Sequence, residues 1–235
     1  YNFFKNPIIF ILNIFKHYQK EIKIRFTHYP LNEFCFLGVD GVGKSSIIKT
    51  LSKKLDGSAQ HIKIIHLKHS LFEFEKKSSS NKIPHKGKPR SVVISVIKIF
   101  YWLYCYHYKK IFHGYKNSTI ILWDRYMYDI LIDPIRYKIK LPKTLFNLSK
   151  IIVPKPDYTF ILTGRPKDIF KRKKELTLNE IKNYNSKYLQ ISYKLKNSKI
   201  IDTSRGINNT SDKILNDMKI ILKKASIKKV GKTLY

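Results

Sequence analysis

The sequence predicts an α/β fold in which a five-stranded parallel sheet carries helices on both faces. Three observations point there. Short apolar runs of strand length alternate with longer stretches of helical periodicity. The first run passes into a glycine-rich turn, "FLGVDGVGKSS" at 36–46, that opens into an amphipathic stretch. A later run, "STIILWDRY" at 118–126, ends in paired charge, and open parallel sheets bind ligands at such strand ends.

The elements follow in order. "EFCFLG" (33–38) reads as a buried strand. A helix follows from about Lys44 to Leu55, with Ile47, Ile48, Leu51 and Leu55 on one face. "HIKIIHL" (61–67) is a second strand. The Ser, Lys, Pro and Gly content of "EKKSSSNKIPHKGKPR", ending at Arg90, argues for a loop. Residues 91–112 are apolar enough for a long helix packed on the sheet. A membrane span is the rival there, disfavoured by Lys98 and His107. Residues 118–126 form the third strand, and "LPKTLFNLSKIIVPKP" (141–156) a helix closed by prolines. "DYTFILTG" (157–164) is the fourth strand. Two helices follow, a basic one over 165–175 and a second over 176–195. "SKIIDTS" (198–204) is the fifth strand. A closing helix over 210–225 has Ser or Thr available as its N-cap.

This divides the chain into a basic amphipathic segment (1–33), one domain (34–225) and a basic tail (226–235). Residues 1–25 suit a peripheral contact with an anionic membrane, against the alternative of a helix packed on the domain. The formal charge is +31 with an isoelectric point near 10.0, which invites a polyanionic partner. Basic residues occur in nearly every segment rather than in one patch, so a general bias explains most of it. No nucleic-acid motif is present, and no specific nucleic-acid binding is expected. Cys35 and Cys105 have neither a CxxC partner nor a His at metal spacing. They read as free thiols in a reducing compartment, so a cytoplasmic location, with membrane association as an addition, is the expectation.

Gly38, Gly43, Lys44 and Ser45 match G-x-x-x-x-G-K-[ST], with an apolar strand before and a helix after. Glycines let backbone N–H groups curl inward on phosphate oxygens, and the helix N-terminus adds partial positive charge. The loop through Gly38, Gly41, Val42, Gly43, Lys44, Ser45 and Ser46 would thus hold the phosphates of ATP. Lys44 would reach the outer phosphates, and Ser45 would ligate Mg²⁺. Asp40 is unusual inside such a loop. It either faces outward to accept a hydroxyl of a second substrate or bonds its own turn.

Asp124 and Arg125 end a buried strand. Asp124 would hold Mg²⁺ directly or through water, and Arg125 would clamp an acceptor phosphate. In "YDILIDPIRY", Asp129 and Asp133 share a face if helical, and Arg136 follows. This cluster suits hydroxyls or a charged acceptor, with surface charge as an equal rival. Arg165 and Arg172 in "GRPKDIFKRKKE" suit a lid closing over ATP.

Together, GxDGxGKS, DRY and the basic helix resemble the thymidylate kinase family over roughly 34–223. The resemblance implies a P-loop nucleoside-monophosphate-kinase-like three-layer sandwich, with ATP–Mg²⁺ as donor and a phosphate-bearing acceptor. It implies that Asp40 contacts the acceptor sugar, that Arg125 contacts the acceptor phosphate, and that Arg165 and Arg172 correspond loosely to lid arginines. Two family segments are missing. "HLKHSLFEF" stands where an Arg-Glu-Pro-Gly segment is usual, and "MYDILIDPIRY" where a base-lining stretch is usual. The chain looks more like divergent members found among bacterial surface-polysaccharide genes, by "PH…PRS", "DRY…D…DP.RY", "P.PD" and "RK.E". The expected activity is therefore phosphoryl transfer to a dTMP-like nucleoside monophosphate. A glycan or glycolipid acceptor and a non-catalytic nucleotide-binding regulator are the alternatives, and a homodimer is left open.

Overall fold

In a computed structural model the described residues are 33–56, 61–66, 91–114, 119–140, 142 and 155–233, with side chains described outside 105–114 and 225–233. Five strands form one sheet: β1 (Glu33–Gly38), β2 (His61–His66), β3 (Thr119–Asp124), β4 (Tyr158–Thr163) and β5 (Ser198–Asp202). Their order is β2-β3-β1-β4-β5, and every pairing is parallel. Six helices are described: α1 (Lys44–Leu55), α2 (Val92–Gly114), α3 (Met127–Ile132), α4 (Pro166–Arg172), α5 (Leu178–Lys194) and α6 (Ile207–Thr233).

The order places β1 at the centre, with β3 on one side and β4 on the other. Parallel sheets are covered on both faces, and every residue of β1 and β3 is buried accordingly. Phe160 of β4 stacks on Phe34 and Phe36 of β1, at ring-centroid distances of 6.2 and 5.6 Å. The four apolar positions expected on one face of α1 are all buried, and α1 packs against α6. Strand order reverses at β1, so its carboxyl end opens on the crevice where such sheets bind ligands. Register brings Phe36 opposite Asp124, and His66 opposite Asp124 from the other side.

The strands and α1 lie where the sequence places them; the connections differ in informative ways. β3 stops at Asp124 instead of continuing to Tyr126, because Arg125 adopts φ 74°, outside the extended region. A short helix, α3, then begins. Its first turn is closed by Asp129, which accepts the Tyr126 N–H at 2.9 Å. The basic helix ends early, at Arg172, and α5 restarts behind a Thr177/Glu180 capping box. α6 starts at Ile207 after Gly206 (φ 87°), and its backbone runs on to Thr233.

α2 buries Ser95, Ile99 and Leu103 while Val93, Ile97, Phe100 and Tyr104 stand exposed. Among the described residues no helix is long and apolar enough to cross a membrane. The basic segment through residue 32, residue 67 at the end of the expected second strand, the loop expected at 75–90, nearly all of the proline-closed helix expected at 141–156 and the Cys105 side chain lie outside the described residues.

Gly38 joins sheet to loop under a hard constraint. Its φ is 147°, and a Cβ there would lie 2.5 Å from the Leu162 carbonyl oxygen of β4. Gly38→Ala is expected to lower stability by about 3 kcal/mol, read as the midpoint shift in urea melts. An unchanged midpoint would mean the loop leaves β4 without cost.

Candidate active site

The 38–46 loop carries its glycines in the left-handed region, at φ 86° for Gly41 and 102° for Gly43, and α1 begins directly behind it. Gly43 is the N-cap of α1 and offers no side chain, so the first-turn N–H groups face the loop interior uncapped. Lys44 curls back across this cradle. Its ammonium donates to the carbonyls of Gly38 (2.5 Å) and Val39 (3.0 Å) and lies 3.7 Å from Asp40. Burial, aided by Arg125, lowers its pKa to about 8 against the pull of Asp40. A cation held by two carbonyls in a buried cradle is one that incoming phosphates can recruit.

Beside it, Ser45 donates to Asp124 Oδ2 at 2.8 Å, and His66 Nδ1 lies 3.2 Å from the same oxygen. Burial alone would raise the Asp124 pKa, but His66, Ser45 and Lys44 hold it below the usual carboxylate value. The other oxygen, Oδ1, is buried without a hydrogen-bond partner. An ionised carboxylate with one orphan oxygen next to a serine hydroxyl fits a hard divalent cation. The sequence points to Ser45 and Asp124 for this role but not to His66. The available signal for His66 is its position as the last residue of β2, in register with Asp124.

Asp40 stands between Lys44 and a pair of arginines. Its carboxylate pairs with Arg125 through one oxygen and Arg136 through the other, and Lys173 lies 3.7 Å away. Its side chain is only 3% exposed. Burial opposes its charge, yet Lys44, Arg125 and Arg136 together hold it well below the usual carboxylate range. Arg125 is aimed here by its unusual backbone, whose N–H donates to Phe36 O at 3.3 Å. Burial works against its guanidinium, but Asp129 and Asp40 raise its pKa further above the ordinary value.

The two arginines open on a pocket lined also by Val39, Asp129, Asp133, Tyr137, Tyr184 and Tyr188. α3 and α5 are stitched together beside it. Tyr188 donates to Asp129, and Tyr184, one turn earlier on α5, donates to Asp133, the residue that caps the end of α3. Burial raises the pKa of Asp129 despite Arg125 and Lys44 nearby. The sequence does not mark the tyrosines of α5 as site residues. Their spacing matches that of Asp129 and Asp133, but nothing local says that the two helices face each other.

The two lid candidates separate. α4 ends over the cradle: the position of a Gly41 Cβ lies 3.0 Å from Lys173 Cβ, and that of a Gly43 Cβ lies 4.0 Å from an Arg172 guanidinium nitrogen. Arg172 is thus within reach of phosphates held by the loop. Arg165, the N-cap of α4, does not line the pocket beside Asp40. It sits near Asp202 at the end of β5, whose carboxyl is lowered chiefly by Ser204 and partly by Arg165.

No family model matches the chain, and no curated protein matches it. Solved structures do. Thymidylate kinase from Candida albicans superposes with a TM-score of 0.55 at 19% identity, covering 83% of this chain and 92% of that one. Thymidylate kinase from Ehrlichia chaffeensis gives a TM-score of 0.52 at 13% identity, covering 79% and 97%. The fold is the thymidylate kinase fold. The five-stranded parallel sheet with its phosphate-type loop at the end of the central strand is thereby the P-loop nucleoside-monophosphate-kinase architecture expected from the sequence.

Proposed function

We propose that the protein is an ATP-dependent phosphotransferase that moves the γ-phosphoryl group to a phosphate-bearing acceptor, with a dTMP-like nucleoside monophosphate as the first class. The observation that carries this reading is the division of labour around Asp40. Lys44, Ser45 and Asp124 gather on the cradle side, and Arg125 and Arg136 gather on the other. Two sets of charge separated by one loop suit a donor and an acceptor held face to face.

ATP would lie in the loop from Gly38 to Ser46, with Lys44 and Arg172 on its outer phosphates. Ser45 and Asp124 would hold Mg²⁺, which neutralises charge on the transferring group. Arg125 and Arg136 would release part of their hold on Asp40 to grip the acceptor phosphate in a forked manner. The acceptor oxygen then forms a new P–O bond, the β,γ-anhydride bond breaks, ADP leaves and any acceptor proton passes to solvent. Catalysis is positioning plus charge stabilisation. A glycan or glycolipid acceptor is the second reading, supported by the carboxylates and phenols of the pocket, which suit hydroxyl groups. A homodimer belongs to the same proposal, supported by the exposed apolar side of α2.

The test follows ³¹P spectra of ATP and Mg²⁺ with a panel of nucleoside monophosphates and phosphorylated sugars. ADP formation matched by a new acceptor resonance is the expected result. ATP bound but never consumed with any acceptor would favour the regulator reading instead.

A further inference from the structure

The acceptor-side pocket has a hydrogen-bonding character of its own. Apart from the two guanidiniums, its polar lining consists of three carboxylates, Asp40, Asp129 and Asp133, and three phenols, Tyr137, Tyr184 and Tyr188. Among the described residues no amide side chain lines it. The protons of two phenols are already committed, Tyr188 to Asp129 and Tyr184 to Asp133. What these pairs offer a ligand is lone pairs on carboxylate and phenolic oxygens, which call for donors. Tyr137 supplies an independent sign that something polar belongs there. It is 7% exposed, lines the pocket and has the Arg125 guanidinium beside its oxygen, so its own proton is left for a ligand oxygen such as a hydroxyl.

From this arrangement we infer that the acceptor is a phosphomonoester whose organic part turns an exocyclic amine or a set of hydroxyls toward Asp129 and Asp133. The inference rests on the proposed assignment of Arg125 and Arg136 to the acceptor phosphate. A carbonyl oxygen set against Asp129 or Asp133 would face like partial charge, whereas an exocyclic amine or a sugar hydroxyl would complete the carboxylate's coordination. Both carboxylates also serve the fold: Asp129 accepts the Tyr126 N–H and the Tyr188 hydroxyl, and Asp133 accepts the Arg136 N–H at 3.2 Å and caps the end of α3. Asp133 is the position to vary, because it is the less buried of the two, 6% exposed against 1%.

Two matched pairs test this in the full chain, by calorimetric binding in the presence of a non-hydrolysable ATP analogue and Mg²⁺. The first is dAMP against purine 2′-deoxyriboside 5′-monophosphate, which differ only by the exocyclic amine. The second is glucose 6-phosphate against a short alkyl phosphate, which differ by hydroxyls. Binding of the donor-bearing member at least about tenfold tighter in either pair is the expected result. The pair that responds tells nucleotide from sugar as the source of the donors. Asp133→Asn should abolish that preference, while Tyr193→Phe, at an exposed position of α5 outside the pocket, should preserve it. No preference for the donor-bearing member in either pair, or no binding by any of the four to a protein that binds the ATP analogue, would overturn the inference and leave the donor site standing. Failure to bind the ATP analogue itself would sink the inference together with the proposed function beneath it.

Discussion

Lys44→Ala is expected to lower phosphoryl transfer on the order of 10²–10³-fold. The side chain spans the cradle on the carbonyls of Gly38 and Val39, 5% exposed, so no other described cation is placed to take over its position. Charge builds on the transferring group as the anhydride bond breaks, and an ammonium in a buried setting opposes that charge more strongly than it would in water. The fold should survive the change, because an amine whose pKa is lowered by burial is costly to keep charged. The measurement is kcat with the melting midpoint recorded alongside. A variant that keeps full kcat would remove Lys44 from the mechanism.

Asp40→Asn is expected to cost about 3 kcal/mol of stability in the ligand-free protein. The neutral amide would leave Arg125 and Arg136 without their carboxylate, beside Lys44 and Lys173. Inorganic phosphate should then restore more stability to the variant than to the wild type, since an anion can stand where the carboxylate stood. The acid limb of this comparison has a definite sign. The folded-state pKa of Asp40 lies below its unfolded value, so its contribution is complete above about pH 4 and fades as pH falls toward the folded value. The gap between wild type and variant should be flat from pH 7 to about 5 and narrow in stronger acid. Equal stability at neutral pH would mean that Asp40 is not the hub of the arginine cluster.

The parts of this site that are legible in sequence are those built from contiguous residues. A loop and the helix it opens are local, so Gly38, Gly43, Lys44 and Ser45 declare themselves together, and burial follows the spacing of Ile47, Ile48, Leu51 and Leu55. Asp124 and Arg125 are legible because a charged pair ends an apolar run. The pocket beside Asp40 is legible only in part: Asp40, Arg125 and Arg136 stand out singly, but their meeting with the tyrosines of α5 does not, because it joins distant segments. Asp40 meets Arg136 across 96 residues, and Asp129 meets Tyr188 across 59. No period or motif encodes such meetings; they follow from strand order and from how α5 lies against α3. The left-handed Arg125 is equally silent, since nothing in "DRY" marks a residue that must leave the strand geometry. Arg165, at the N-cap of α4, adds to the charge that lowers the Asp202 carboxyl at the end of β5, a pairing of distant segments that its place after a strand does not announce.

The central claim is that the 38–46 loop, with Ser45 and Asp124, is a site for ATP and Mg²⁺. Its most direct test is calorimetric titration of the purified protein with ATP, with and without Mg²⁺, and repeated on Asp124→Ala. Saturable binding at one site, tightened by Mg²⁺ in the wild type but not in Asp124→Ala, is the expected result. Absence of binding at millimolar ATP, or the same Mg²⁺ effect in both proteins, would contradict it.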